Sequence, residues 1–296
     1  MFKSGFVAIV GKANVGKSTL LNCLVNQKVS ITSPKPQTTR NKINGILTTK
    51  DYQIVFTDTP GIHKSKNKLD SFMNESIKSG VEGIDCLIFM LDSLKPFEKD
   101  DLDLVESYVK TGVPVILVVS KIDKTNFEKL YPKLASLNSL NGVKDIIPIS
   151  AFRKKNIDVL VESVLKFIPS GVKFYEDDEV TDVTLKFLAS EIVREKALLY
   201  LQEEVPHGLA VVIDSFVEGE NLLKISATIF CEKPAHKLII IGKNGEMLKK
   251  IGSHAREELE HITSSKVFLE LWVKVKENWR NNEILINNMG YNKKDI

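Results

Sequence analysis

Gly11-Lys12-Ala13-Asn14-Val15-Gly16-Lys17-Ser18 is the stretch on which the fold turns. It has the form G-x-x-x-x-G-K-[ST], follows the apolar run Phe6–Val10 and opens a helical pattern over Ser18–Val25. Strand, glycine-rich turn and helix in that order make a phosphate cradle. The glycines let backbone N–H groups wrap a β-phosphate, and the helix N-terminus adds positive potential. Lys17 is placed to bridge β- and γ-phosphates, and the Ser18 hydroxyl to ligate Mg²⁺. Gly11, Asn14, Val15, Gly16 and Thr19 complete the expected nucleotide-facing set around this loop.

Downstream, Asp58-Thr59-Pro60-Gly61 ends the strand-like run Ile54–Thr57. There the Asp58 carboxylate can hold Mg²⁺ through water, and the Gly61 N–H can meet a γ-phosphate. Base choice rests on Ser120-Lys121-Ile122-Asp123, directly after the apolar run Val113–Val119. An Asp at that place accepts the two N–H donors of guanine and so rejects adenine. The usual form of the motif begins with Asn, and Ser120 shortens the side chain that ties this loop to the phosphate loop. A weaker hold on nucleotide is therefore expected. Ser150-Ala151, after Ile146–Ile149, offers the Ala151 N–H to the guanine O6. A literal N-K-x-D, Asn292-Lys293-Lys294-Asp295, sits in a polar tail with no strand before it and reads as a solvated terminus.

Around these motifs the first half alternates strands (Phe6–Val10, Ile43–Thr48, Gln53–Thr57, Cys86–Leu91, Val113–Val119, Ile146–Ile149) with helical stretches. That order predicts an α/β domain over 1–170, a mostly parallel six-stranded sheet with helices on both faces. Pro169, Gly171 and the acidic run Glu176–Glu179 read as a linker over 171–181. An α+β domain is expected over 182–296. Its elements are a helix (Thr184–Glu203), a strand pair (Leu209–Val217, Leu222–Phe230), a helix (Glu246–Ile262) and a strand (Val267–Val275). Phe2, Phe6, Phe56, Phe89 and Phe268 are expected in the cores, and His63 and His207 in surface loops.

Composition sets the outer bounds. The chain has 296 residues, 43% hydrophobic and 27% charged, with three widely spaced cysteines. An odd, scattered set excludes a disulfide framework and fits a reducing cytosol. No apolar run approaches a membrane span, no leader pattern precedes the first strand, and no Cys/His spacing suggests zinc. Net charge is +3, but residues 1–175 hold 25 Lys+Arg against 17 Asp+Glu, and residues 176–296 hold 16 against 21.

Within that acidic second half one segment stands apart. From Lys233 to Arg256 there are six cations and one acid, Glu246. In their midst Gly242-Lys243-Asn244-Gly245 follows the apolar Leu238–Ile241 and precedes an amphipathic helix. A G-x-x-G turn in such a setting clamps the backbone of about four nucleotides of single-stranded RNA. Lys237, Ile241, Gly242, Lys243, Asn244, Gly245, Lys249, Lys250 and Arg256 are the expected RNA-binding residues.

The nucleotide motifs, in this order, resemble those of the translation-factor-related GTPases. Pro36-Gln37-Thr38-Thr39-Arg40 is similar to the switch I segment of the Era family. Its second threonine, Thr39, rather than Thr38, would then join Ser18 and Asp58 around Mg²⁺. The resemblance makes Lys17, Thr39, Asp58 and Gly61 the catalytic set. In Ras-like enzymes a Gln after the D-x-x-G glycine positions the attacking water. Ile62 stands there instead, so hydrolysis is expected to be slow or to depend on another group or ion. Asn14 matches the position that helps hold a monovalent cation in related GTPases, which makes K⁺ a further expected cofactor.

The order helix, two strands, G-x-x-G with its helix, and strand resembles a type II KH domain. A P-loop GTPase domain followed by that domain is the Era architecture, over essentially the whole chain. The run Val273–Arg280 is also similar to Era. The resemblance implies a GTP/GDP switch that binds the 3′ end of 16S rRNA during 30S subunit assembly. It also implies a cytoplasmic monomer that associates peripherally with the inner face of the cell membrane. Two other classes stand beside it. One is a nucleotide-gated RNA-binding protein or chaperone with vestigial hydrolysis, suggested by Ile62 and Ser120. The other is a P-loop ATPase, against which Asp123 argues.

Overall fold

The computed structural model describes residues 1–292, which leaves Lys293-Lys294-Asp295 of the tail motif outside the described residues. The chain packs as two units. The first comprises residues 1–30, 39–63 and 74–182, and the second residues 31–38, 64–73 and 183–296.

In the first unit the strands are β1 (Lys3–Gly11), β2 (Ile43–Thr48), β3 (Tyr52–Asp58), β4 (Cys86–Asp92), β5 (Val115–Ser120) and β6 (Val143–Pro148). They form one sheet in the order β2-β3-β1-β4-β5-β6, parallel except for β2 against β3. The Val7–Val10 and Cys86–Leu91 runs of β1 and β4 are apolar and buried on both faces, as a parallel sheet covered by helices requires. Ala8, Val10, Phe89 and Leu117 pack on one face with Leu104 of α3 (Lys99–Val109) and Leu130 of α4 (Phe127–Leu137). α1 (Lys17–Val25) lies on the other face. Gly45 and Phe56 pair in register with Val7, one residue off the Ala8 face, and a Cβ on Gly45 would meet Leu21 of α1 at 2.6 Å. α5 (Ile157–Leu165) packs beside β6.

Residues 171–181, read from the sequence as a linker, run along this unit. Phe174 and Tyr175 donate backbone N–H groups to Gln53 Oε1, Phe174 meets the Phe6 ring, and Thr181 bridges Gly45.

In the second unit α6 (Leu185–Tyr200) starts at Thr184, whose hydroxyl caps it by accepting from the Phe187 N–H. β7 (Ala210–Glu218), β8 (Leu222–Cys231) and β9 (Lys266–Val275) form a three-stranded sheet in that order, β7/β8 antiparallel and β8/β9 parallel. The parallel pair needs a crossover. It is made by α7 (Pro234–Ile241) and α8 (Glu246–Thr263), joined at Gly242–Gly245. The sequence pattern lacks α7, because Leu238-Ile239-Ile240-Ile241 shows no helical periodicity. It is a helix with Pro234 in its first turn that buries only Ile240, leaving Leu238 73% exposed.

Two further elements depart from expectation. A helix, α2 (Lys68–Gly80), begins at Lys68, in a stretch where the sequence reading singled out no element. Leu69, Phe72 and Met73 on its first turns pack with Trp279 and with Ile286 of α9 (Glu283–Asn288). Phe268 is not core. Alternation along β9 sends Val267, Leu269 and Leu271 inward and leaves Phe268 58% exposed on the outer face. Phe56 and Phe89 are fully buried, whereas Phe2 and Phe6 are half-buried.

Candidate functional site

The phosphate loop joins β1 to α1 with Gly11 (φ +150°), Asn14 (φ +66°) and Gly16 (φ +102°) all at positive φ, as a tight turn between strand and helix requires. A Cβ on Gly11 would lie 2.6 Å from the Met90 carbonyl oxygen. Lys17 is buried, and its ammonium donates to the Gly11 and Lys12 carbonyls at 3.0 Å. Burial pulls its pKa down to about 8, with the Asp58 carboxylate acting in the opposite direction.

Three chain-distant oxygens converge beside it. Ser18 Oγ donates to Asp58 Oδ2 at 2.6 Å and lies 2.8 Å from Thr39 Oγ1. Ser30, which no motif singled out, donates to the same Oδ2 at 3.0 Å. The Thr38 hydroxyl turns away and donates to the Lys35 carbonyl. Burial pushes the Asp58 carboxyl up, while Lys17 and the three hydroxyls work against that rise. Its Oδ1 is buried and has no hydrogen-bond partner among the described residues. An orphaned carboxylate oxygen beside two hydroxyls suits a hard divalent cation and its water shell.

Gly61 packs where no side chain fits, since a Cβ there would lie 2.7 Å from Ala13 Cα. Ile62 donates its N–H to the Gly11 carbonyl and packs its side chain on the α3–α4 core. It offers no polar atom to a water at that place.

The base-reading loop follows β5. Ser120 Oγ lies 2.7 Å from the Val15 carbonyl and 3.0 Å from the Leu91 carbonyl. The shortened side chain therefore still ties this loop to the phosphate loop. Lys121, in the left-handed region, donates to the Asn14 carbonyl and, at 2.8 Å, to Asp92. Asp123 Oδ1 accepts from Ser150 Oγ at 2.6 Å, which fixes the carboxylate and leaves Oδ2 open to two N–H donors. A cavity of about 480 Å³ is lined by Val15, Gly16, Thr19, Ser120, Lys121, Asp123 and Ala151, all expected from sequence. Met90, Lys124, Phe152 and Arg153 also line it and were not expected. Lys124 and Phe152 adjoin motif residues in the chain and Arg153 follows one place later, which was the available signal, whereas Met90 lies on a buried strand and had none.

The second unit carries a separate groove of about 370 Å³ between α8 and β9. Leu248, Leu269 and Leu271 form its apolar side, and Gly245, Lys249, Gly252, Ser253 and Arg256 the rest. Helical spacing puts Lys249, Ser253 and Arg256 on one face of α8. Lys243 and Asn244 lie on the adjoining turn, while Lys237 and Ile241 of α7 are half-buried. Lys250 does not join the groove residues. One position round the helix from Lys249, it lies over the Tyr200 ring at 4.2 Å. Gly242 (φ +76°) is closed in, for a Cβ would meet Met247 Cβ at 2.7 Å, whereas Gly245 (φ +80°) faces open space.

Both halves of the chain have counterparts among known proteins. Residues 6–121 match the family model of the 50S ribosome-binding GTPase, and residues 204–280 that of the KH domain. The GTPase Era of Caldanaerobacter subterraneus subsp. tengcongensis is 48% identical over 292 residues, covering 98% of each chain. A solved structure of a variant of Aquifex aeolicus Era bound to GDP.AlF4- superposes with a TM-score of 0.94 at 42% identity, covering 98% of this chain and 99% of that one. A structure of Era in complex with MgGDPNP and nucleotides 1506–1542 of 16S ribosomal RNA matches with the same score, identity and coverage. With a P-loop GTPase domain, a KH domain and this likeness along nearly its full length, the chain belongs to the Era family of GTPases.

Proposed function

We propose that this GTPase couples its nucleotide cycle to binding the 3′ end of 16S rRNA during 30S subunit assembly. One observation carries the RNA side: the Gly242–Gly245 turn opens on a groove with an apolar floor and the cations Lys249 and Arg256 on its rim. A related protein holding MgGDPNP and a 16S rRNA fragment supports the choice of RNA. On this basis the GTPase domain spans 1–170, a linker 171–181 and the KH domain 182–296.

At the nucleotide, Lys17 and the loop amides would orient the phosphates, and Asp123, held by Ser150, would select guanine. Ser18 and Thr39 would hold Mg²⁺ with Asp58 reaching it through water; the ion would neutralise charge on the β- and γ-phosphates. Gly61 would present its N–H to the γ-phosphate. Ile62, packed inward, cannot orient a water, so turnover is slow. Asn14 would help hold a K⁺ ion that speeds it, an idea that equal turnover in K⁺ and Na⁺ buffers would remove. The family likeness adds a cytoplasmic monomer with a peripheral place at the inner face of the membrane, tested by light scattering and by co-flotation with vesicles. Among the described residues no helix is long and apolar enough to cross a membrane.

The test of the main reading is binding of an end-labelled RNA carrying the 3′-terminal 16S rRNA segment, alongside GTP turnover. Specific binding that Gly245→Asp removes, and turnover that Lys17→Ala removes, are the expected results. Equal binding of any single-stranded RNA would refute the rRNA assignment.

A further inference from the structure

Residues 31–38, which lead into Thr39, pack as part of the KH-containing unit. Four contacts hold them there. Ile31 is fully buried in that unit's core beside residues of α6. The Thr32 N–H donates to Glu195 Oε1 at 2.8 Å. The Lys35 ammonium donates to the Leu201 carbonyl, and Arg194 Nη2 donates to the Thr38 carbonyl.

The last contact is costly to build. Arg194 is fully buried in the middle of α6, with Nε donating to Glu191 Oε1 at 2.7 Å and Nη2 to Oε2 at 2.5 Å. Its Nη1 is buried without a hydrogen-bond partner among the described residues. Apolar residues of similar volume in place of a buried ion pair are often neutral or stabilising, so stability alone does not account for this one. The Thr38 carbonyl belongs to the same rigid peptide plane as the Thr39 N–H. A grip on that oxygen therefore sets the plane from which Thr39 projects toward Ser18 and Asp58. From the other side, α6 packs on α8 through the Lys196–Glu258 ion pair and the Lys250–Tyr200 contact, and α8 lines the RNA groove.

We propose that Arg194, oriented by Glu191, is the positioning residue that ties the magnesium-facing Thr39 to the RNA-binding unit. When the peptide plane at Thr38 turns, the guanidinium must follow or surrender a buried hydrogen bond, and α6 carries that constraint to α8. This rests on the proposed RNA-binding switch and adds the residue through which the two activities communicate.

The experiment compares wild type with the paired apolar variant Glu191→Met/Arg194→Met and with Arg194→Lys. The affinity of the labelled 3′-terminal 16S rRNA segment is measured with saturating GDPNP and with saturating GDP, both in Mg²⁺. Wild type is expected to show a GDPNP-to-GDP ratio of about fivefold or more, in the usual range of allosteric coupling. The paired variant should bring that ratio to about one while keeping GDP affinity and a cooperative thermal transition. Arg194→Lys retains the charge pair but lacks the fork that serves Glu191 and Thr38 together, and should lose most of the ratio. If the paired variant does not fold, the lysine variant decides. A wild-type ratio preserved in the folded variants overturns the role of Arg194. A ratio of one in wild type overturns instead the nucleotide-gated reading beneath it.

Discussion

The Ser120 hydroxyl lies 2.7 Å from the carbonyl oxygen of Val15, so the loop that reads the base is tied to the loop that holds the phosphates. Lys121 makes a second tie to the Asn14 carbonyl. A displacement of either loop is thereby shared with the other. Ser120→Ala removes the donor and leaves the buried Val15 and Leu91 carbonyls without it. GDP affinity is expected to fall by about fivefold to tenfold, the worth of one such bond. Calorimetric titration checks this, and an unchanged affinity would show that Lys121 alone holds the loops together.

Asp123 accepts from Ser150 and so presents a fixed carboxylate to the base. Asp123→Asn replaces one acceptor with a donor, which suits the extra carbonyl of xanthine. GDP affinity should drop on the order of a hundredfold, from loss of charged hydrogen bonds, and XDP should become the better ligand. Competition between the two diphosphates reads this directly. Retained preference for GDP would place base recognition elsewhere.

Lys17 titrates near pH 8 in the nucleotide-free protein because burial disfavours its charge. Phosphates favour the ammonium, so the bound state keeps a proton that the free state loses above pH 8. Affinity should be flat below about pH 8 and fall by up to about tenfold per unit above it. Titration at about pH 9 in buffers of different ionisation heat should reveal proton uptake; none would contradict the assignment. The same depressed pKa means the nucleotide-free fold carries a cost at neutral pH. That cost is relieved as pH rises from about 8 toward 10.5, the ordinary value for a lysine.

Lys249 and Arg256 share the groove, while Lys250 lies over Tyr200. Lys249→Ala with Arg256→Ala should weaken RNA binding and lower the slope of log K against log salt by about 1.4, from two lost phosphate contacts on a single strand. Lys250→Ala should leave that slope unchanged. GDP affinity should not move in either variant. Equal slopes for all three proteins would take the phosphate path away from this groove.

The two glycine turns and the D-x-x-G element are readable in the sequence because each is a local device. A strand, a tight turn with glycine at positive φ and a helix start are set by contiguous residues, and their chemistry follows from backbone amides and the helix terminus. The α/β and α+β order is readable for the same reason, through periodicity within each element. Periodicity is silent about partners. Ser30 joins Asp58 across 28 residues, and nothing near either in the chain announces it. Lys249 and Lys250 look alike in sequence, yet one step along a helix turns a side chain by about 100°, toward the groove or toward α6. α7 is hidden because its four apolar residues carry no helical pattern and only Ile240 is buried. Residues 31–38 look like a loop of the nucleotide domain, and only packing assigns them to the unit of Arg194. Which chemistry the chain can perform is thus written in short runs of neighbouring residues. Which side chains meet is settled only on folding, because burial and pairing depend on segments far apart in the chain.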